Sequence, residues 1–181
     1  MTTNNSSWAQ NAVFYHIYPL GFCGAPERND FISPAQERLC KVSQWIPHIR
    51  SLGANALYLG PLFESSAHGY DTADYFRVDR RLGTNDSLKQ LSAELHRNGI
   101  RLILDGVFNH VGRDFWAFRD VRDHGASSPY CSWFDGLRFD SSSPCGDPFT
   151  YTPWEGHYDL VRLNLKNPDV RAHLFEAVRT W

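Results

Sequence analysis

Short apolar runs alternate with longer amphipathic segments along the amino-terminal part of the chain. Three runs rich in aromatic and β-branched residues are predicted to be strands: Val13–Leu20, Ala56–Gly60 and Ile100–Leu104. Between them, apolar residues recur at helical spacing from residue 33 to residue 53, and again over residues 85–98. Strand and helix alternating in units of roughly forty residues are typical of a parallel α/β sheet.

The first predicted helix carries a start signal and an internal breaker. Ser33 and Pro34 supply an N-cap and a first-turn residue, so the helix is predicted to begin there. Pro47 lies inside the apolar pattern and predicts a kink or a break, and Gly53 predicts the end. The second helix is predicted to align Leu88, Leu91 and Leu95 on one face.

The periodic pattern breaks down over residues 112–158. This stretch holds eleven aromatic residues and many Gly, Pro, Ser and Asp residues, without a sustained period. An insertion of this length in a compact domain is often functional. The aromatic residues fit either ligand subsites or a small satellite core. A last helix is predicted from Asn167–Pro168, with one face formed by Val170, Leu174, Val178 and Trp181.

Composition and charge narrow the class of protein. Of 181 residues, 42% are hydrophobic and 21% are charged, and the net charge is -2. A charge this close to neutral argues against nucleic acid or an anionic membrane as the main partner. No apolar run approaches ~18 residues and no secretory signal is visible, so we expect a cytoplasmic protein without a membrane segment.

The four cysteines show neither CxxC spacing nor nearby histidine clusters, which argues against a structural zinc site. In the cytosol all four are expected to be reduced, with Cys40 in the core face of a helix. Cys131 and Cys145 lie in one loop-rich stretch and could pair if the protein were exported.

Polar side chains follow directly after the third predicted strand. Asp105, Asn109 and His110 lie just past Leu104, at the carboxyl edge of a parallel sheet, where α/β folds build their sites. The residues alone leave a structural alternative open, in which Asp105 caps local backbone and His110 is a satisfied loop histidine.

The segment His68–Tyr75 lies beyond the second predicted strand, at the same edge of the sheet. His, Tyr and Asp side chains at adjacent strand ends suggest a polar pocket with aromatic walls. Such a pocket suits a sugar, because carboxylate and imidazole groups bind hydroxyls while an aromatic face stacks on a pyranose ring. The alternative for Tyr70 is a packing tyrosine whose hydroxyl bonds to backbone.

Four runs in this order resemble glycoside hydrolase family 13, the α-amylase family. They are Gly53–Pro61, His68–Asp71, Asp105–His110 with the D-x-x-x-N-H signature, and Leu160–Asn164 in its neopullulanase-like and oligoglucosidase-like form. The resemblance extends over essentially the whole chain. It implies an α/β fold: the N-terminal portion, about three strands, of a (β/α)8 TIM barrel with a loop-rich domain B inserted after strand three.

The resemblance divides the chain into three parts. Residues 1–111 would hold barrel strands one to three with their helices, residues 112–158 the inserted domain B-like segment, and residues 159–181 the return to the barrel. With the C-terminal half of the barrel missing, we expect bare sheet edges and a last helix that exposes Val170, Leu174 and Val178. The chain is therefore expected to be part of a longer enzyme.

Roles for single residues are also implied by the resemblance. Tyr70 would be the stacking platform under the sugar at the cleavage point, and His110 would bond the primary hydroxyl of that sugar. His68 and Asp71 belong to the same substrate-binding segment. Asp105 would support an arginine beside the nucleophile, rather than act as the nucleophile itself.

The resemblance leaves a metal site open. Asn109 matches a position that binds calcium in many amylases, whereas Asn164 stands where those calcium-binding members have aspartate. No cofactor is expected to be required, and calcium at Asn109 stays an open alternative.

Members of this family are retaining glycosidases that use a nucleophilic Asp and an acid/base Glu. The family places both after later strands, so neither is assigned within this chain, which is expected to be inactive alone. The implied substrate is an α-glucan or maltooligosaccharide. The sequence does not distinguish α-1,4 from α-1,6 links, or hydrolysis from transfer. The alternative is a non-catalytic glucan-binding or interaction fragment.

Overall fold

The computed structural model describes residues 7–181. Its strands, numbered along the chain, are β1 Phe14–Ile17, β2 Ala56–Leu59, β3 Phe63–Ser65, β4 Thr72–Val78, β5 Arg101–Leu104, β6 His110–Gly112, β7 Pro153–Trp154 and β8 His157–Arg162. Its α-helices are α1 Ser7–Gln10, α2 Pro19–Cys23, α3 Cys40–Ser51, α4 Asn85–Arg97, α5 Trp116–His124 and α6 Pro168–Thr180.

The three predicted strands form one parallel sheet in the order β1-β2-β5. The register aligns Ile17 with Leu59 and Leu59 with Leu104, so the three strands end at one level. Helix α4 begins with a capping box between Thr84 and Ser87. Its buried leucines are Leu88, Leu91 and Leu95, as predicted. This α/β arrangement brings the residues after Ile17, Leu59 and Leu104 to one edge.

Helix α3 begins seven residues later than predicted, at Cys40 rather than at Ser33. The backbone N–H groups of Gln36 and Arg38 donate to the carbonyls of Arg80 and Leu82, each at 2.8 Å. Because these long-range bonds satisfy the backbone, residues 33–39 need no helix. The predicted break is also wrong, since α3 continues through Pro47, which is exposed.

The loop expected after β2 contains an antiparallel hairpin, β3–β4. Buried ion pairs join the hairpin to the segment that follows it. The Arg81 guanidinium lies 2.7 Å from the Asp79 carboxylate, and Arg80 Nε lies 2.5 Å from Glu64 Oε1. Ser65 donates its hydroxyl to Asp79 at 2.8 Å. This network supports the base of the turn that carries His68 and Tyr70.

The aperiodic stretch folds as helix α5 and an antiparallel sheet in the order β6-β8-β7. The sheet begins at His110 and ends at Arg162, so it includes residues on both sides of 112–158. Aromatic rings fill the space between the helix and the sheet. Phe118 lies 5.1 Å from Phe134 and 5.0 Å from Tyr151, measured between ring centroids. The satellite-core alternative therefore accounts for these rings.

Helix α6 is more covered than predicted. Val170 and Leu174 are buried, while Val178 is 55% exposed. The expectation of exposure is therefore wrong for the first two, because α6 packs on β4 and on the aromatic side chains of the inserted segment. Trp181 stays near the sheet by donating its indole N–H to the Tyr75 carbonyl at 2.7 Å.

The cysteine predictions are partly wrong. All four are free thiols. Cys40 is exposed at the first turn of α3, and Cys23 is the buried one. Within residues 7–181, no helix is long and apolar enough to cross a membrane.

Candidate functional site

A cavity of about 820 Å³ opens at the carboxyl edge of the parallel sheet. Its walls come from the β3–β4 turn, the segment after β5 and the β7–β8 hairpin. The lining residues include His68, Tyr70, Asp105, Asn109, His110, Trp154, His157 and Asp159. Five of the predicted site residues, from two separate segments, therefore meet at one cavity: His68, Tyr70, Asp105, Asn109 and His110.

Tyr70 is presented to the cavity by a tight turn. Gly69 has a φ of +91° and lies against Pro61, so a side chain there would be strained and crowded. The Tyr70 backbone N–H donates to His68 Nδ1 at 3.2 Å. Tyr70 is 41% exposed, which leaves its side chain accessible to a ligand. Burial, followed by the nearby Asp105 carboxylate, raises the pKa of Tyr70, so its hydroxyl stays protonated at neutral pH.

Asp105 follows β5 directly and is half-buried among tyrosines. Burial and the neighbouring Asp105 carboxylate raise the pKa of Tyr58 to about 12. Tyr58 in turn stacks on His16, with 4.7 Å between ring centroids. Asp105 therefore lies next to Tyr58 and Tyr70 at the carboxyl edge of the sheet.

His110 is the most enclosed polar residue of the cavity, at 5% exposure. Its ring packs against Trp154 at 5.0 Å, and its Nε2 atom has no hydrogen-bond partner in the described part of the chain. Burial lowers the pKa of His110, although the Tyr70 backbone opposes the shift. A neutral imidazole at this position can donate to, or accept from, a ligand hydroxyl.

His68 and Asp71, which were predicted to act in one binding segment, lie close together but differ in exposure, with side chains 42% and 7% exposed. His68 lines the cavity, with its Nδ1 3.6 Å from Asp71 Oδ1 and its Nε2 3.8 Å from Asp159 Oδ2. Asp71 is buried and accepts the Gly69 backbone N–H at 3.0 Å. Asp71 lines a smaller neighbouring cavity rather than the main one, so its carboxylate stabilises the turn that presents Tyr70.

The residues near Asn109 do not fit a calcium site built from side-chain carboxylates. The Asn109 amide nitrogen lies 3.4 Å from His110 Nδ1. Asn164 uses its amide locally, donating to the Ser132 carbonyl at 2.9 Å and accepting from the Lys166 backbone at 3.1 Å. Across residues 7–181, no group of three or more His, Cys, Asp or Glu side chains could hold a metal ion.

Trp154, His157 and Asp159 line the cavity but were not among the predicted site residues. They lie on the β7–β8 hairpin, whose two-residue turn has Glu155 and Gly156 at φ of 47° and 86°. Glycine suits the second turn position, where φ is positive, whereas Glu155 is not among the residues that usually precede it in such a turn. The sequence therefore held only part of the signal for the hairpin, and the side that its residues face depends on the fold.

Comparison with known proteins identifies the family. The alpha-amylase family, described as the alpha amylase catalytic domain, matches residues 17–181. A cyclomaltodextrinase from Bacillus sp is 36% identical over 193 residues, covering 97% of this chain and 34% of the relative. Neopullulanase 2 from Thermoactinomyces vulgaris is 36% identical over 195 residues, covering 96% and 32% respectively.

Solved structures show the same fold. The cyclic alpha-maltosyl-(1→6)-maltose hydrolase from Arthrobacter globiformis superposes with a TM-score of 0.80 at 36% identity, covering 96% of this chain and 42% of the hydrolase. A debranching enzyme from Nostoc punctiforme gives a TM-score of 0.81 at 32% identity, covering 100% of this chain and 41% of the enzyme.

The parallel sheet with a polar, aromatic-walled cavity at its carboxyl edge is thus a portion of a (β/α)8-barrel glycosidase domain. The chain belongs to the alpha-amylase family, glycoside hydrolase family 13, and it resembles the neopullulanase and cyclomaltodextrinase members. It spans about a third of the length of these curated relatives.

Proposed function

We propose that this chain supplies the glucan-binding part of a retaining α-glucan hydrolase site. The observation that carries the proposal is the meeting of Tyr70, Asp105 and His110 at one cavity, in a chain of the alpha-amylase family. The tyrosine ring would stack on a glucose ring, and the neutral imidazole of His110 would bond a hydroxyl. The relatives named as cyclomaltodextrinase and maltogenic amylase support a maltooligosaccharide as ligand.

We propose that the catalytic nucleophile and the acid/base come from residues outside this sequence. A retaining glycosidase needs two carboxyl groups about 5 Å apart, one raised in pKa to act as the acid. Asp105 and Asp159 are the carboxylates among the cavity-lining residues, and that lining includes no glutamate. Asp105 lies beside Tyr58 and Tyr70. This placement supports a positioning role for Asp105.

We propose that the protein works on maltodextrins inside the cell and requires no calcium. The intracellular maltogenic amylase of Bacillus subtilis, which is 31% identical over 191 residues, supports the location. The engagement of the Asn164 amide with local backbone supports independence from calcium. Maltotriose affinity should therefore be equal in calcium and in a chelator, and a loss of affinity on chelation would contradict this.

The test compares binding with turnover. The 181-residue chain should bind maltotriose saturably in calorimetry, lose that binding in Tyr70→Ala, and release no reducing sugar. A chimera that joins the chain to the remaining catalytic domain of the Bacillus sp cyclomaltodextrinase should hydrolyse maltotriose. Turnover by the chain alone would place both carboxylates within it. Binding without turnover in a folded chimera would favour a non-catalytic glucan-binding module.

A further inference from the structure

We propose that Arg81 positions the turn that presents His68 and Tyr70 to the cavity, and thereby sets the affinity for a maltooligosaccharide without touching it. The inference rests on the proposed function and adds a positioning residue to that site. Arg81 does not line the cavity itself; it is 4% exposed and lies beyond the end of strand β4. Its effect on binding is therefore indirect, through the turn.

The Arg81 guanidinium joins the loop after α2 to the turn between β3 and β4. Its Nη1 atom donates to the backbone carbonyls of Pro26 and Glu27 at 3.0 and 3.1 Å. The same atom donates to the Ala67 carbonyl at 2.8 Å. Its Nη2 atom donates to the Ser65 hydroxyl at 2.9 Å. One side chain therefore bonds to two segments that are distant in the sequence.

The charge of Arg81 strengthens these bonds. Its Nε and Nη2 atoms donate to the two Asp79 carboxylate oxygens at 2.9 and 2.7 Å, and the side chains of Arg81 and Asp79 are 5% and 0% exposed. Because the pair is shielded from solvent, the planar guanidinium is held in one orientation. Hydrogen bonds from a charged donor are about twice as strong as neutral ones. The carbonyls of Pro26, Glu27 and Ala67 therefore accept from a fixed, charged donor.

The hydrogen bonds within the turn fix its shape but not its position. The Tyr70 backbone N–H donates to His68 Nδ1 at 3.2 Å. Both groups lie within the turn, so this bond is kept when the turn shifts as a unit. Ala67 directly precedes His68, and its bond to Arg81 connects the turn to the rest of the fold.

Neutral hydrogen bonds also hold the turn from outside. The Asn29 backbone N–H donates to the Ser66 carbonyl at 2.9 Å. The Tyr18 hydroxyl donates to the His68 carbonyl at 3.0 Å, but that bond is exposed to solvent. Arg81 is the buried and charged donor of this set, so its replacement should loosen the turn most.

The position of the turn matters because packing does not enclose Tyr70, which is 41% exposed. A stacking ring must lie at a suitable distance and angle from the sugar ring. Ordering a mobile side chain or loop on binding costs affinity. Because Arg81 holds the turn in place before the ligand arrives, it reduces that cost and preorganises Tyr70.

The first test is calorimetric titration of maltotriose into the 181-residue chain and into its Arg81→Lys variant. Lysine keeps a positive charge beside Asp79, but one ammonium group cannot reach the carboxylate and both backbone segments together. Arg81→Lys should therefore raise the dissociation constant about tenfold, while the circular dichroism spectrum stays unchanged. Amide hydrogen exchange should become faster at Tyr70 and stay the same in helix α5.

The second test replaces the lost group chemically. Arg81→Ala removes the guanidinium beside Asp79 and the Ala67 carbonyl, and free guanidinium ion has the shape and the donors to occupy that space. Millimolar guanidinium chloride should restore much of the maltotriose affinity of this variant. Sodium chloride at the same concentration should not restore it.

Asp147→Asn is the matched control for a general loss of stability. It breaks another buried pair, with Arg113, whose guanidinium bonds to Asp147 and Tyr151 and not to the turn. Asp147→Asn should leave the dissociation constant for maltotriose unchanged. If Arg81→Lys does not fold, Ser65→Ala takes its place, because it removes one acceptor of Arg81 and should weaken binding about threefold.

Failure of this inference and failure of the proposed function give different results. If a folded Arg81→Lys variant, or Ser65→Ala in its place, binds maltotriose as tightly as the unaltered chain, the positioning role is overturned and the proposed function stands. An equal loss of affinity in Asp147→Asn also overturns it, as does the same affinity of Arg81→Ala in guanidinium chloride and in sodium chloride. If the unaltered chain binds no maltooligosaccharide, both fail.

Discussion

At the scale of the residue, His173 shows how aromatic packing changes the chemistry of a polar group. Five aromatic rings surround its imidazole, with centroid distances from 5.2 to 6.2 Å: Tyr75, Phe76, Phe115, Trp116 and Trp133. Its Nε2 atom has no hydrogen-bond partner in the described residues. Burial lowers the pKa of His173 from its ordinary 6.5, against an opposing effect of Asp74. The neutral form is therefore the one that the fold accommodates.

This lowered pKa predicts that the protein loses stability in mild acid. As pH falls through 6.5, the unfolded chain protonates His173 while the folded chain does not, so the free energy of unfolding decreases. The loss stops once the pH passes below the pKa of the folded state. His173→Phe should show a smaller decrease between pH 7.5 and 5.5 in urea denaturation, although His110 adds a decrease of the same sign. His96→Gln, on the exposed face of α4, is the control, and an unchanged pH dependence in His173→Phe would contradict the argument.

The bidentate ion pair of Arg113 and Asp147 predicts that replacing Asp147 strongly destabilises the protein. The two guanidinium–carboxylate bonds measure 2.7 and 2.8 Å, and both side chains are largely buried. Burial alone would raise the pKa of Asp147, but hydrogen bonds from Arg113 and Ser143 lower it, so the charged pair is intact at neutral pH. Asp147→Asn should lower the free energy of unfolding by about 3 kcal/mol, because it leaves a buried guanidinium without its carboxylate partner.

The matched control for that substitution is Asp140→Asn. Asp140 pairs with Arg138 at 3.8 Å, and both side chains are well exposed to solvent. Removing an exposed pair should change the free energy of unfolding by less than about 1 kcal/mol. If Asp147→Asn and Asp140→Asn lost the same free energy of unfolding in urea denaturation, burial would not make the Arg113–Asp147 pair more stabilising than an exposed pair, and the prediction would be wrong.

At the scale of the element, the sequence pattern predicted best those strands and helices whose bounds depend on neighbouring residues in the sequence. Strands β2 and β5 and helix α4 lie where the periodicity placed them, because their apolar spacing and end signals agree with one another. Strand β1 ends earlier than predicted, at Ile17, and Pro19 and Leu20 belong to helix α2. The start of α3 was wrong because Gln36 and Arg38 bond to a segment more than forty residues away. The β3–β4 hairpin was missed for a similar reason, since its base depends on Glu64 and Arg80, which are distant in the sequence.

The continuity of helix α3 through Pro47 predicts a stabilising substitution. Proline in a helix interior removes one backbone hydrogen bond and crowds the preceding turn. Pro47 is exposed, so alanine should fit there without repacking. Pro47→Ala should raise the free energy of unfolding by about 1–2 kcal/mol, the helical gain less the entropy that the unfolded chain recovers.

Pro34→Ala provides the comparison for that prediction. Pro34 is also exposed, but it lies in the non-helical segment before α3. Its replacement should lower the midpoint of thermal unfolding slightly, through the added entropy of the unfolded chain. A fall in stability for Pro47→Ala as large as that for Pro34→Ala would mean that α3 gains nothing from the restored N–H group.

At the scale of the whole molecule, an apolar groove lies beside β5, the edge strand of the parallel sheet. It has a volume of about 540 Å³, and its lining includes Phe63, Leu102, Leu104, Phe108, Val178 and Trp181. A closed barrel has eight strands, each paired on both sides. The described residues provide three parallel strands, and β5 pairs only with β2. The groove is therefore an apolar surface beside an unpaired strand edge.

The apolar groove is expected to bind the dye ANS, and a charged side chain introduced into the groove should reduce that binding. Contiguous apolar surface binds ANS, and a lysine at its centre interrupts that surface. Val178→Lys should therefore lower ANS fluorescence at an unchanged melting temperature, since Val178 is 55% exposed. Ile32→Lys makes the same change at an 86% exposed position outside the groove and should leave the fluorescence unchanged. Similar fluorescence in both variants would place the dye elsewhere.

The candidate site was predictable in part. Tyr70, Asp105 and His110 were selected from the sequence because they lie beyond strand ends and stand in short motifs, and all three line the cavity, while their roles stay predictions. Asp71 was predicted to bind the ligand, which stays a prediction; that its carboxylate also accepts the Gly69 backbone N–H is visible only in the three-dimensional contacts. Trp154 could not be separated from the other aromatic residues of the insertion, since nothing local shows which rings face a cavity and which fill a core.

The most direct test of the central claim is an amide NMR titration of the chain with maltotriose. The account predicts saturable shifts at Tyr70, Gly106 and His110, around the cavity, and none on helices α3 and α4. It also predicts that Tyr70→Ala removes these shifts while the rest of the spectrum stays folded. The absence of any shift, or shifts confined to α3 and α4, would contradict the claim that this cavity is the glucan site.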